Sequence, residues 1–123
     1  MKSSGIKKVL LLDDDKIQRI LVEKRLLKID SGVGFVYFDT PGRALEFLKY
    51  ESVDLLLVDL NLPEMSGWEF ADEVEKVSPN SIVVLQSGAV EDEEILRVNA
   101  HKRISGIFEK PLSESDLRSI LGL

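Results

Sequence analysis

The sequence contains no cysteine, and His101 is the only histidine among its 123 residues. Thiolate nucleophiles, disulfide frameworks and cysteine metal sites are therefore excluded, and so is any metal site that needs several histidines. We expect His101 to be a solvated side chain near the end of the fourth predicted helix, since no second histidine or cysteine can join it. Any metal ion that this protein binds is expected to have oxygen ligands.

Long hydrophobic runs and an excess of basic residues are also missing. No apolar stretch approaches the roughly 20 residues of a membrane span, and the first residues lack the apolar segment of a signal peptide. We therefore expect a cytoplasmic protein without a membrane partner. The formal net charge is -6, whereas nucleic-acid surfaces need clustered lysine and arginine, so we expect no direct contact with nucleic acid.

Short apolar runs alternate with helical segments along the whole chain. The runs predicted to be strands lie at 9–12, 33–38, 55–58, 81–86 and 106–109. Strands that alternate with helices imply a parallel sheet covered on both faces by right-handed crossovers. In such α/β sheets, ligands bind beyond the carboxyl ends of the strands.

The predicted helices carry signals for their starts and inner faces. Ser66, with Glu69 three residues later, has the spacing of a capping box, and so has Ser113 with Asp116. The helix predicted over 16–29 has an apolar stripe that Lys24 interrupts, and we expect this stripe to face the core. Its members are Ile17, Ile20, Leu21 and Leu27.

Four of the five predicted strands deliver a polar group to the carboxyl edge of the sheet. These groups are Asp13 and Asp14 after the first strand, Asp59 after the third, Ser87 after the fourth and Lys110 after the fifth. Carboxylates that converge repel one another, and burying them is costly unless a cation joins them. Mg²⁺ suits such a set because it takes oxygen ligands and commonly keeps several waters, and Mn²⁺ is the second candidate.

The same set of residues suits phosphate chemistry. The Ser87 hydroxyl can donate a hydrogen bond to a phosphoryl oxygen, and the Lys110 ammonium can neutralise one. Asp59, which is central among these groups, is a candidate carboxylate nucleophile that becomes an aspartyl phosphate. Alone, each of these residues has an ordinary structural explanation, but their order and placement favour phosphoryl transfer.

Four segments in order, 12–15, 58–67, 87–88 and 109–111, resemble the motifs of the receiver domain of two-component response regulators. The resemblance covers essentially the whole chain. It implies a flavodoxin-like three-layer α/β fold, (βα)5, whose five-stranded parallel sheet has the strand order 2-1-3-4-5. We expect residues 1–123 to form a single receiver domain, with no output domain in this chain.

The resemblance also implies how the acidic residues work. Asp59 would take a phosphoryl group from a phosphohistidine on a sensor histidine kinase or a histidine phosphotransfer protein. Asp14, Asp59 and the backbone carbonyl of Asn61 would ligate Mg²⁺, and Asp13 would act mainly through a bound water. The chain would then be a signalling phosphoacceptor rather than an enzyme, and would switch a surface for a downstream protein or output domain.

The resemblance implies, for the phosphate-binding side, that Lys110 pairs with Asp59 before phosphorylation and with the phosphoryl group afterwards. Ser87 would move inward to bind the phosphate, and the bond before Pro111 would be cis. The family usually carries Tyr or Phe three residues before the lysine, where this chain has Ile107. Phe108 is adjacent, but alternation along a strand points it to the opposite face, which puts the usual switch in question.

Two other functions stay open. A partner-binding receiver that works without phosphorylation is the first, although the intact acidic positions argue against it. A haloacid-dehalogenase-like phosphatase is the second, since it also uses an Asp nucleophile, Mg²⁺, a Ser or Thr and a Lys. That chemistry normally needs a second Asp two residues after the nucleophile, where this chain has Asn61.

Overall fold

Five parallel strands form one central sheet in the computed structural model, which describes residues 5–123. The strands are β1 (Lys8–Leu12), β2 (Gly34–Phe38), β3 (Leu55–Asp59), β4 (Ile82–Ser87) and β5 (Ile104–Glu109). Their order across the sheet is β2-β1-β3-β4-β5, which confirms the predicted fold. β5 begins earlier than predicted, at Ile104 rather than Gly106.

A helix follows each strand in the chain. The helices are α1 (Lys16–Ile29), α2 (Pro41–Tyr50), α3 (Gly67–Val77), α4 (Asp92–Ala100) and α5 (Glu114–Leu121). Both predicted capping boxes are present, at the starts of α3 and α5. In the first, the Glu69 N–H donates to Ser66 Oγ at 3.1 Å, which satisfies an amide that has no partner within the helix.

The sheet separates two apolar clusters, because successive side chains of a strand point to opposite faces. One cluster packs against α1 and α5, and we call this side the α1/α5 face. The other packs against α2, α3 and α4, and we call this side the α2/α3/α4 face. Every residue of β3 is buried, which explains why its sequence reads as a continuous apolar run. Each buried leucine stabilises the fold by about 1.5–3 kcal/mol relative to an exposed one.

The predicted inner face of α1 is wrong. Ile17 is 66% exposed, Ile20 63% and Leu27 42%, whereas Val22 and Leu26 are fully buried against the sheet. The helix carries apolar side chains on opposite sides, so periodicity alone does not determine which side is covered. Lys24, which interrupts the predicted stripe, was the sign that this stripe faces solvent.

His101 is not the solvated residue that we expected. Its ring is only 20% exposed, and its Nε2 lies 3.2 Å from Asp72 Oδ1 on α3. Nδ1 accepts a hydrogen bond from the Arg103 N–H at 3.0 Å. The proton of the neutral ring is therefore on Nε2, and this N–H donates a hydrogen bond to the Asp72 carboxylate. His101 therefore joins the end of α4 to α3.

Within residues 5–123, no helix is long and apolar enough to cross a membrane.

Candidate functional site

The candidate site lies at the carboxyl edge of the sheet, on the α1/α5 face. On this face, four polar side chains each lie two residues beyond an apolar side chain of the core. They are Asp13, Asp59, Gln86 and Lys110, which follow Leu11, Leu57, Val84 and Phe108. Each of the strands β1, β3, β4 and β5 thus contributes an apolar side chain, followed on the same face by a polar one at the carboxyl edge, and the sheet sets the spacing between the polar groups.

Asp13, Asp14 and Asp59 form what we call the acid cluster. Each offers a carboxylate oxygen, and these oxygens lie within 4.8 Å of one another. Asp13 is fully buried, Asp59 is 4% exposed, and Asp14 is exposed to solvent. The structure therefore brings together the acidic residues that the sequence predicted.

Backbone amides fix the two buried carboxylates in orientation. The Asp15 N–H donates to Asp13 Oδ1 at 2.9 Å, and the Asn61 N–H donates to Asp59 Oδ1 at 3.0 Å. Asp15 also caps α1, since its side chain accepts from the Ile17 N–H at 2.9 Å. In both carboxylates the second oxygen, Oδ2, contacts the side chain of Lys110 instead.

Lys110 bridges the two buried carboxylates. Its Nζ lies 2.9 Å from Asp13 Oδ2 and 3.0 Å from Asp59 Oδ2. Burial alone lowers the pKa of Lys110, but the hydrogen bonds and charges of the two aspartates outweigh it, so the pKa is raised above 10.5. The Lys110 backbone N–H donates to the Ser87 carbonyl at 2.8 Å, which extends the hydrogen bonding between β4 and β5 by one residue. The peptide bond between Lys110 and Pro111 is cis, as the resemblance implied.

One lysine does not neutralise the acid cluster. Burial raises the pKa of Asp13 above its ordinary 3.8, although the Asp15 N–H and the Lys110 ammonium both act to lower it. Three carboxylates beside one lysine leave the ionised cluster with a net negative charge. Oxygen ligands, a net negative charge and one solvent-facing carboxylate suit a hard divalent cation, so the cluster can hold a metal ion.

The loop after β3 forms the outer wall of the site. An open groove of about 480 Å³ is lined by Asp14 and residues 60–66. Asn61 pairs with Ser66 in a short antiparallel bridge, and the Gly67 N–H donates to the Leu60 carbonyl at 2.8 Å. A Cβ on Gly67 would lie 3.0 Å from Leu60 Cα, so this close approach of the loop to α3 favours glycine over any larger residue.

Ser87 lies at the predicted strand end but does not contact the acid cluster. It is 3% exposed, and its hydroxyl donates to the Ala89 carbonyl at 2.9 Å. Ile107 and Phe108 lie on opposite faces of the sheet, as strand alternation predicted. The aromatic ring of Phe108 therefore packs on the α1/α5 face, away from the Ile107 position.

Sequence reasoning missed Gln86. Its side chain is 1% exposed, and its Nε2 donates to Asp13 Oδ2 at 3.1 Å. The sequence did contain a signal for this role, because Gln86 is a polar residue two positions after Val84 in a strand that was predicted to be buried. Tyr37 was also missed, and its hydroxyl donates to the Asp13 backbone carbonyl at 2.6 Å.

The fold and the site together define a flavodoxin-like α/β protein with an acid cluster at the switch point of its sheet. The chain belongs to the response regulator receiver domain family, whose sequence profile matches residues 9–122. This confirms the resemblance inferred from the motifs. Receiver domains are signalling domains of two-component systems rather than catalysts.

Individual relatives agree with this assignment. The sequence is 33% identical over 114 residues to the autoinducer 1 sensor kinase/phosphatase LuxN of Vibrio harveyi, which covers 93% of this chain but only 13% of that protein. It is 34% identical over 83 residues to the response regulator receiver protein CpdR of Brucella abortus, covering 68% of each chain. A two-component response regulator from Cytophaga hutchinsonii has the same fold, with a TM-score of 0.87 at 24% identity over 95% of both chains.

Proposed function

We propose that this receiver domain is a phosphoacceptor in a two-component phosphorelay and that Asp59 carries the phosphoryl group. The setting of the Asp59 carboxylate is the observation that supports the proposal. It is buried at the carboxyl edge, with the Asn61 N–H at 3.0 Å from Oδ1 and Lys110 Nζ at 3.0 Å from Oδ2. A carboxylate held by two donors, one of which is cationic, suits a nucleophile for phosphoryl transfer.

In the proposed reaction, a carboxylate oxygen of Asp59 forms a bond to the phosphorus atom of a phosphohistidine. The bond between phosphorus and the imidazole nitrogen breaks, its electron pair stays on the nitrogen, and the product is an aspartyl phosphate. The donor is a sensor histidine kinase or a histidine phosphotransfer protein. Lys110, which now pairs with Asp59, turns to a phosphoryl oxygen as that negative charge arrives.

The cation in this proposal is Mg²⁺, with Mn²⁺ as the alternative. Asp14, Asp59 and the Asn61 carbonyl are its proposed ligands, and Asp13 acts mainly through a water. Bound Mg²⁺ supplies neutralisation of the phosphoryl oxygens during transfer. Three carboxylate oxygens within 4.8 Å of one another support this assignment, because their mutual repulsion is offset when a cation binds.

Ser87 is the proposed switch residue. Its hydroxyl bonds to the Ala89 carbonyl in this structure, and we propose that it turns inward to the phosphoryl group after transfer. The change biases a two-state surface that a downstream protein or output domain reads. A cytoplasmic location and the absence of direct contact with nucleic acid stay predictions.

Asn61 separates this proposal from a haloacid-dehalogenase-like phosphatase. Such an enzyme needs a carboxyl group two residues after its nucleophile as a general acid, and a carboxamide does not donate a proton in that role.

Intact-mass measurement after incubation with acetyl phosphate and Mg²⁺ tests the phosphoacceptor proposal. We expect the mass to rise by one phosphoryl group, and we expect EDTA or the Asp59→Asn substitution to abolish the gain. Asp54→Asn is the matched control, because Asp54 precedes the amino end of the same strand and its side chain accepts from the Lys7 and Lys8 N–H groups at 2.8 and 3.0 Å, away from the acid cluster. A gain that survives Asp59→Asn, or no gain in the wild type, contradicts the proposal.

A further inference from the structure

Gln86 is a buried side chain of the site that the proposed phosphoryl chemistry does not use. It lies opposite Asp59 in the β3–β4 register and opposite Phe108 in the β4–β5 register. Its side chain is 1% exposed, yet it ends in two polar groups beside Asp13 of the acid cluster. A buried amide at this position calls for a partner for each of these groups.

The first group has its partner in Asp13. A carboxylate only accepts hydrogen bonds, so the atom 3.1 Å from Asp13 Oδ2 is the amide nitrogen, Nε2. The same Oδ2 also accepts from Lys110 Nζ at 2.9 Å. Asp13 Oδ2 is thus held by one charged and one neutral donor.

The second group, Gln86 Oε1, is buried and has no hydrogen-bond partner within residues 5–123. An unpaired buried acceptor loses its hydration without compensation. Of the Lys110 ammonium hydrogens, two are directed to Asp13 and Asp59. A water bound to a cation at the acid cluster would supply the missing donor, and Mg²⁺ commonly keeps such waters.

The two donors on Asp13 differ in how they affect a cation. The positive charge of Lys110 opposes a second positive charge in the acid cluster, and the phosphoryl group of the proposed function draws this ammonium away. The amide of Gln86 is neutral, so it orients the same carboxylate without repelling the cation. Residues that hydrogen-bond to metal-binding carboxylates in this way set their orientation and their affinity.

We propose that Gln86 is a positioning residue of the cation site, whose Nε2 holds the Asp13 carboxylate and whose Oε1 accepts a hydrogen bond from a water of the hydrated cation. The proposal rests on the proposed function in one respect, namely that a divalent cation binds at the acid cluster. It gives Gln86 a role in cation affinity rather than in phosphoryl transfer.

The test compares Mn²⁺ affinity, from the electron paramagnetic resonance signal of free Mn²⁺, in the wild type and in Gln86→Met. Methionine has nearly the same length and volume, but lacks both the donor and the acceptor. We expect affinity to fall by about 10- to 100-fold, the range for loss of a group that supports a metal ligand. The melting temperature of Gln86→Met in EDTA should stay close to that of the wild type, because the substitution also removes the unpaired acceptor Oε1.

Gln18→Met is the matched control. Gln18 lies on α1, its Oε1 is also buried without a partner, and no hydrogen bond joins it to the acid cluster within the described chain. The affinity of the Gln18→Met variant for Mn²⁺ should equal that of the wild type. Gln86→Leu provides a second apolar variant, and we expect it to lose as much affinity as Gln86→Met.

Wild-type affinity in either folded Gln86 variant, or an equal loss in Gln18→Met, overturns the proposal. The intact-mass assay on the wild type separates this failure from a failure of the proposed function. If the wild type gains a phosphoryl group while the Gln86 variants bind Mn²⁺ normally, only the role of Gln86 is wrong. If the wild type neither binds Mn²⁺ nor gains a phosphoryl group, the proposed function itself is wrong.

Discussion

Replacing Lys110 with methionine removes the ammonium that lies between Asp13 and Asp59. At separations of 2.9 and 3.0 Å, each removed attraction is about 5.5 kcal/mol at an effective dielectric constant of about 20, before desolvation is subtracted. Two carboxylates up to 4.8 Å apart then repel by about 3.5 kcal/mol or more at the same dielectric constant. Deleting one partner of a buried ion pair costs about 3–5 kcal/mol, and the 15% exposure of Lys110 favours the lower end.

We therefore expect Lys110→Met to lower the free energy of unfolding by about 3 kcal/mol in EDTA at neutral pH, measured by urea denaturation. Because the pKa of Lys110 is raised in the folded state, its stabilisation is fully present below pH 10.5 and is lost as the pH rises through the folded-state pKa. The difference in the free energy of unfolding between the wild type and Lys110→Met should therefore become smaller at alkaline pH. It should also shrink in Mg²⁺, because a cation that binds the acid cluster replaces the lost charge and stabilises the variant more than the wild type.

Lys49→Met provides the matched control for the loss of a lysine. Lys49 pairs with Glu46 at 3.2 Å, but both side chains are more than half exposed, so the cost should stay below about 1 kcal/mol. The reasoning is refuted if Lys110→Met costs no more than Lys49→Met. It is also refuted if Mg²⁺ leaves the difference between the wild type and Lys110→Met unchanged.

Two further substitutions test the backbone and the helix start around the site. Gly67→Ala should lose about 1–3 kcal/mol of unfolding free energy in urea, because its Cβ would lie 3.0 Å from Leu60 Cα. Gly42→Ala, with no atom within 4 Å of the new Cβ, should instead gain about 0.5–1 kcal/mol, and equal effects would contradict the argument. Ser66→Ala should lose about 1 kcal/mol with its capping box, measured in the same way. Thr40→Ala, where no cap hydrogen bond exists, should change stability by less than about 0.5 kcal/mol, and a similar loss in both variants would show that the box adds nothing.

Much of the fold could be predicted from the sequence because its strands are covered on both faces. The apolar run of β3 follows directly from that burial, and the parallel order then brings the strand ends to one edge. Asp13, Asp14, Asp59 and Lys110 could therefore be placed together without any knowledge of side-chain geometry.

The remaining features depend on contacts between residues far apart in the chain. Gln86 bonds to Asp13 across 73 positions, and no local pattern indicates the partner of a polar residue in a buried strand. Ile17 and Val22 lie on opposite sides of α1, and only docking onto the sheet decides which of them is buried. His101 pairs with Asp72 across 29 positions, so sequence alone left it without a partner.

Locating the phosphoryl group tests the central claim most directly. After incubation with acetyl phosphate and Mg²⁺, borohydride reduces an aspartyl phosphate to homoserine, which tandem mass spectrometry assigns to one position of the chain. Asp59 is predicted to be converted, and the conversion should require Mg²⁺. Homoserine at Asp13 or Asp14 with Asp59 intact, or no conversion at all, would contradict the account.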